Sequence, residues 1–359
     1  MRFNKLFFVA FTVISVVACN QTSIKSTAKQ KKASTKANQV GDFLLKDDIN
    51  KKAFVRGEEI AIQWEELYDS VTVYTNGKRK DLVGTNTVDL SSLIEKTGRV
   101  SIRVTGWKDS KQFITRKTID VLSSVKPVKY KPKVINKYWH NPNSFTQGLF
   151  YNDGFLFEGT GQFGESKLMK TDIKTGKPIY ALDIDKEQFG EGITLYDGKI
   201  YQITWISRKV HIYDVNTFEK LRTIDYPYQQ GWGITTINDN LILSDGTATL
   251  TIIDPADFSQ LDAFQVFDNK GPIDKLNELE YVDGILYANV WQKPIILMID
   301  IKTGEVIGVI DCSYLSAQNN SDNVDNVLNG IAYNSKTKHF YVTGKRWENM
   351  YEVVFEKTN

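Results

Sequence analysis

Apolar and polar residues alternate along most of this chain with a period of two, in short runs broken by turn residues. The stretch FGEGITLYDGKIYQITW, residues 189 to 205, shows the unit: an apolar strand, the turn Asp197-Gly198, and a second strand. Asp-Gly between alternating apolar residues is a strong hairpin signal. The unit recurs in TQGLFYNDGFLFEGTG from Thr146, GWGITTINDNLILSDG from Gly231, NELEYVDGILYANVW from Asn277 and NGIAYNSKTKHFYVTGK from Asn329. The turns, at Asp153, Asp197, Asn238, Asp283 and Ser335, are spaced 44, 41, 45 and 52 residues apart. The last spacing is stretched by a polar insertion, Ser313 to Asn326. In the first four units a third strand follows, and often a fourth. A four-stranded unit of this length repeated five times predicts a five-bladed β-propeller over residues 134–359. An open β-sandwich accounts for the strands but not for the period.

The pattern before residue 134 differs. Residues 42–124 hold about seven short strands, such as Glu59–Trp64, Ser70–Tyr74, Val100–Thr105 and Thr118–Leu122, and predict a small, immunoglobulin-like β-sandwich. Residues 125–133, with two prolines and four lysines, read as a linker. At the N-terminus, Arg2 and Lys5 precede a short apolar run ending at Ala18, which predicts a secretory signal peptide over residues 1–18. Residues 19–41, rich in Ser, Thr, Ala, Gln and Lys, read as a flexible tether.

Charge and cysteines narrow the classes. The chain carries 45 basic and 43 acidic residues; without Arg2, Lys5 and the five tether lysines, 38 basic face 43 acidic, a body of about −5. That balance argues against nucleic acid as a partner. Cys19 and Cys312 are the two cysteines, too few for a zinc site.

A hairpin returns the end of its second strand beside the start of its first, so the residues at those two places share one rim. The openers are Gln147, Glu191, Trp232, Asn277 and Asn329, each six residues before its turn. The closers are Glu158, Trp205, Ser244 with Asp245, Trp291 and Lys345. A purely structural ring would repeat one small residue. One tryptophan here reads as core; three on one rim, among carboxylates, amides and a lysine, read as a binding site.

The segments Phe145-Thr146-Gln147-Gly148, Phe189-Gly190-Glu191-Gly192, Thr204-Trp205, Gly231-Trp232-Gly233, Ser244-Asp245-Gly246, Leu276-Asn277-Glu278, Asn289-Val290-Trp291, Leu328-Asn329-Gly330 and Thr343-Gly344-Lys345 resemble the plant-type glutaminyl-peptide cyclotransferases, over roughly residues 137–355. Val16-Val17-Ala18-Cys19 resembles a bacterial lipobox, which implies a lipid on Cys19 and a lipid-anchored protein of the bacterial cell envelope, facing the periplasm or the exterior. The first resemblance implies cyclisation of N-terminal glutamine to pyroglutamate with loss of ammonia, on a five-bladed propeller and without a catalytic metal. The expected partners are peptides or proteins with N-terminal glutamine, and the chain reads as a monomer. Glu158-Gly159-Thr160 departs from the family's Glu-Ser-Thr and loses a hydroxyl.

For that reaction nucleophile and electrophile are already tethered, so folding the substrate supplies much of the rate. A desolvated carboxylate can take the amine proton and return it to the leaving ammonia. Glu191 suits this role, with Glu158 as the second candidate. Gln147 and Asn277 can hydrogen-bond the substrate, and Lys345 can stabilise the oxyanion. Trp205, Trp232 and Trp291, with Phe145 and Ser244, complete the substrate-binding set. No cofactor is required, and a structural ion in the central channel is compatible with the chemistry. The residues alone leave two rivals: a propeller lactonase holding calcium through Glu191, Asn277, Asn329 and Asp245, and a non-catalytic peptide-binding propeller lipoprotein.

Overall fold

Three Asp-Gly turns, at Asp153, Asp197 and Asp283, carry two successive residues of positive φ (47° and 88°, 48° and 68°, 49° and 90°). This geometry matches the twist of the strands on either side. The computed structural model describes residues 40–43, 51–319 and 324–358. The signal peptide, Cys19 and all but the last residues of the tether lie outside them.

Each of the first three hairpins grows into a four-stranded antiparallel sheet in chain order. The first sheet holds Thr146–Asn152, Phe155–Thr160, Lys167–Asp172 and Pro178–Asp183. The second holds Gly190–Tyr196, Lys199–Thr204, Lys209–Asp214 and Lys220–Asp225; the third, Ile234–Ile237, Asn240–Ser244, Thr249–Ile253 and Gln260–Gln265. The fourth group, Leu276–Val282, Ile285–Val290, Ile295–Asp300 and Glu305–Asp311, continues through Val128–Trp139, Asn349–Lys357 and His339–Gly344 to Leu328–Asn334. The result is one eight-stranded sheet whose two end strands, Leu276–Val282 and Leu328–Asn334, touch, so that it nearly closes on itself.

The strands that open the five hairpins also touch one another in cyclic order, the fifth returning to the first. They are buried for most of their length, whereas an outer strand such as Pro178–Asp183 is largely exposed. Close approach around the axis depends on backbone: a Cβ on Gly233 would overlap the carbonyl oxygen of Asn277. Glu278 ties the ring from within, its carboxyl accepting Ile331 N–H (2.8 Å) and Leu149 N–H (3.3 Å).

Two sequence-based boundaries move. Residues 128–133, read as linker, belong to Val128–Trp139, whose backbone pairs with Asn349–Lys357 and with Gly308–Ile310. Lysine-rich composition disguised this strand because its side chains are mostly exposed and it is held chiefly through backbone pairing. Val40 and Gly41, read as tether, pair with Gln112 and Phe113.

The described residues between 40 and 122 form a six-stranded sheet and a two-stranded ribbon over a core that includes Trp64, Ile62, Leu90, Ile102 and Ile119. This part docks on the third and fourth sheets. Arg56 reaches Glu305 at 2.9 Å, and Ser124 donates to the same carboxylate through N–H (2.6 Å) and Oγ (2.7 Å). Burial opposes ionisation of Glu305, but Arg56 and Ser124 outweigh it and hold the carboxyl down at about 2.

Candidate active site

The opening residues depart from regular pairing. Register shifts fall at Gln147, at Glu191-Gly192, at Asn277-Glu278 and at Asn329-Gly330. A β-bulge re-aims side chains and ends regular pairing. Four of the five hairpins therefore start with a kink that frees their first polar residue from ladder geometry. In the third, Trp232 precedes its strand and is held by its own N–H donating to Ser244 O at 2.9 Å.

A cavity of about 260 Å³ opens at this rim. Gln147, Glu191, Trp232 and Asn277 line it, with the closers Trp205, Trp291 and Lys345, and with Phe145. Trp232 and Trp291 meet edge to face at 5.6 Å, 87° between planes. On the opposite wall Phe189 contacts Phe145 (6.1 Å) and Trp205 (5.8 Å), both edge to face. Trp205 is fixed by its indole N–H donating to Gln230 Oε1 at 2.8 Å.

The polar groups on the hairpin openers and closers are few and buried. Glu191 is 4% exposed, and burial pushes its carboxyl well above the usual carboxylate range; the Lys345 ammonium pulls it partly back. Lys345, also 4% exposed, sits 4.7 Å over the Phe145 ring. Burial lowers its ammonium to about 8, against the pull of Glu191 and Asp325. Asn277 Oδ1 is buried with no hydrogen-bond partner among the described residues. Such an acceptor costs about 1–3 kcal/mol unless a ligand satisfies it. Gln147 Oε1 accepts from Asn329 Nδ2 at 3.4 Å, and that same nitrogen donates to Thr146 O at 3.0 Å. Gln147 thus keeps its own amide N–H₂ to donate.

A family model described as glutamine cyclotransferase matches residues 102–355. The chain belongs to the glutamine cyclotransferase family. It is 36% identical over 231 residues to a glutaminyl-peptide cyclotransferase of Arabidopsis thaliana, covering 63% of this chain and 72% of that one. The crystal structure of Myxococcus xanthus glutaminyl cyclase superposes with a TM-score of 0.62 at 33% identity, over 65% of this chain and all of that one. The family match starts inside the strand Gly98–Lys108, earlier than the motifs suggest.

Two residues expected in this glutamine cyclotransferase site lie elsewhere. Glu158 is outside the cavity lining, locked between His140 Nε2 (3.2 Å) and Thr146 Oγ1 (2.7 Å). His140 Nδ1 meets Trp347 O at 2.7 Å. Burial works against charge on His140, but Glu158 and the hydrogen bonds prevail and its value is raised. The pair joins the first sheet to the turn after Lys345, a structural clasp. Ser244 is fully buried, its Oγ donating to Asn277 O (2.7 Å) and accepting Gly233 N–H (2.8 Å). It fixes the backbone that presents Asn277.

The oxygen set of the calcium reading is not brought together. Asp245 spends its carboxylate on Thr247 N–H (3.0 Å) and Oγ1 (2.7 Å) in an exposed turn, and Asn329 lies behind Gln147. Among the described residues no group of three or more His, Cys, Asp or Glu is gathered as for a metal ion.

Three lining residues were not singled out from the sequence: Phe189, Gln162 and Asp325. Phe189 had a signal, standing two residues before Glu191 in a quoted motif. Gln162 and Asp325 come from loops, where no period marks a side chain as inward.

Proposed function

We infer that this protein is a glutaminyl-peptide cyclotransferase that converts N-terminal glutamine to pyroglutamate and releases ammonia. The observation that carries the reading is a desolvated carboxyl, Glu191, facing the charge of Lys345 in an aromatic cavity of about 260 Å³. A peptide α-amine titrates near pH 8. Burial raises the Glu191 carboxyl above the usual carboxylate range, so it binds a proton from the amine more readily than a solvated carboxylate would, as a general acid–base group must.

The α-nitrogen attacks Cδ of its own side chain, and a C–N bond forms. Glu191 takes the proton this nitrogen sheds and returns it to the departing amide nitrogen. The Cδ–N bond then breaks and ammonia leaves. Asn277 Oδ1 accepts from the α-amine, which supplies its missing partner. Gln147 N–H₂ and the Lys345 ammonium stabilise the oxyanion, a role strengthened where tryptophan excludes water. The aromatic walls press the glutamine side chain into the cyclising conformation.

The finer architecture is part of this reading. We propose that the sheets are the blades of a five-bladed β-propeller, with Val128–Trp139 completing the fifth blade. The cyclic contact of the five inner strands and the recurring turn period support it. Residues 42–124, joined by Val40 and Gly41, are proposed to be an immunoglobulin-like sandwich, and residues 1–39 a signal peptide and lipid-bearing tether that anchor a monomeric enzyme at the cell envelope. The chemistry runs on protein groups alone.

The test is direct. Purified protein incubated with a glutaminyl peptide should release one ammonia per peptide with the matching mass loss. A peptide starting with asparagine, which would have to close a four-membered ring, should stay intact. No ammonia from glutaminyl peptides would sink the assignment.

A further inference from the structure

A cavity of about 260 Å³ lies below the roughly 300–1,000 Å³ of sites that engulf a drug-sized ligand. If the activity is the one proposed above, it takes the glutaminyl residue and little else. The second residue of the peptide, one Cα step of about 3.8 Å further on, must then lie at the mouth. Three large apolar side chains are exposed next in sequence to lining residues: Phe163 after Gln162, Ile206 after Trp205, and Val324 before Asp325.

Phe163 is the best fixed of them. It is 50% exposed, yet its ring meets Phe189 edge to face at 5.5 Å. Its loop is held by backbone rather than by packing. Gln162 has a φ of 96°, unusual for a residue with a side chain, and its carbonyl accepts Ser166 Oγ (2.7 Å), Ser166 N–H (3.0 Å) and Glu165 N–H (3.1 Å). Ser166 Oγ in turn accepts Gly190 N–H at 3.0 Å, beside Glu191. A Cβ on Gly161 would overlap the Phe189 ring, so the loop can lie against the aromatic wall only with glycine there. Backbone strain of this kind persists where the surroundings over-determine it and collects at ligand clamps. The loop holds a half-exposed apolar ring against Phe189, which lines the cavity.

We propose that Phe163, with Ile206 and Val324 as the other exposed apolar neighbours of lining residues, forms a subsite for the side chain of the second peptide residue, giving the enzyme a preference for glutamine followed by a large apolar residue. Full burial of a leucine side chain contributes about 1.5–3 kcal/mol. A half-open subsite that captures part of this should favour Gln-Leu over Gln-Gly peptides by about 5- to 20-fold in kcat/KM. The effect should fall on KM, because the contact is the same in ground and transition states.

The experiment measures kcat and KM for Gln-Leu-, Gln-Phe-, Gln-Gly- and Gln-Glu-initiated peptides with the full chain and with Phe163→Ala and Phe163→Leu. The expected result is a Leu/Gly ratio that collapses toward unity in Phe163→Ala and is largely kept in Phe163→Leu, with kcat steady. Turnover of all peptides without the preference, or a preference untouched by Phe163→Ala, overturns the subsite and leaves the cyclase assignment standing. Absence of turnover for every glutaminyl peptide overturns both.

Discussion

Replacing Glu191 by Gln removes the proton carrier from the cavity while leaving its walls in place. The substitution preserves shape, and the site around it is built by other groups: Trp205 is held by Gln230, Trp232 and Trp291 by each other, Lys345 by Phe145. No described side chain hydrogen-bonds the Glu191 carboxylate, so no donor is orphaned, although the buried Lys345 ammonium loses the charge that holds it up and falls further. What is lost is the capacity to take the amine proton and hand it to ammonia. General acid–base groups contribute about 10²–10⁴-fold, which at about 1.4 kcal/mol per decade is about 3–5 kcal/mol of transition-state stabilisation. The loss should appear in kcat, with the affinity for a glutaminyl peptide changed less than about threefold, since the aromatic contacts serve ground and transition states alike. The pH profile carries a second signature. Burial raises the Glu191 carboxyl, so wild-type kcat should fall on the acid side as the base is protonated, beginning well above the ordinary carboxylate range. In Glu191→Gln that limb should be absent from the residual rate. Ammonia release under saturating peptide from pH 5 to 9, with affinity measured separately by calorimetry, reads both. A kcat within about threefold of wild type would refute the carboxylate mechanism, leaving orientation and desolvation as the source of rate; an acid limb surviving in the variant would assign it to another group.

Excess chelator should leave glutaminyl turnover unchanged, whereas loss restored by calcium would revive the oxygen-ligand reading of the channel. Arg56→Ala should lower unfolding free energy by about 1–3 kcal/mol, because the Glu305 carboxylate is left buried with only its serine donors, while kcat stays the same; equal stability in denaturant titration would mean the contact between the two parts contributes nothing. Glu305, depressed to about 2, contributes stability that is full above its unfolded value of about 4.3 and is lost as pH falls toward 2. The raised His140 works with the opposite sign: its contribution is full below about pH 6.5 and declines as pH rises through its folded value, so His140→Gln should flatten melting temperature against pH on the alkaline side. Cys19→Ser should move the protein from the membrane to the soluble fraction, and a variant that stays with the membrane would refute the lipobox reading.

Period-two alternation and turn residues, Asp-Gly in three of the five cases, were enough to place five hairpins, because a half-buried strand states its face residue by residue and a tight turn states its backbone. The rim positions Gln147, Glu191, Trp232 and Asn277 followed from counting six residues back from each turn, since a hairpin's register is fixed by its turn. Counting could not separate Glu191 from Glu158, two carboxylates at strand ends. Their surroundings differ: Glu158 is buried against His140, 18 residues away in sequence, whereas Glu191 sits at a bulge and lines the cavity. Nor could local pattern reveal that a lysine-rich segment at residue 128 would pair with residues near 357, or that Gln162 and Asp325 would reach the site from loops. Local sequence sets strand faces and turns; bulges, long-range pairings and loop placements are settled by how neighbouring sheets close on one another and which backbone groups they leave to be paired.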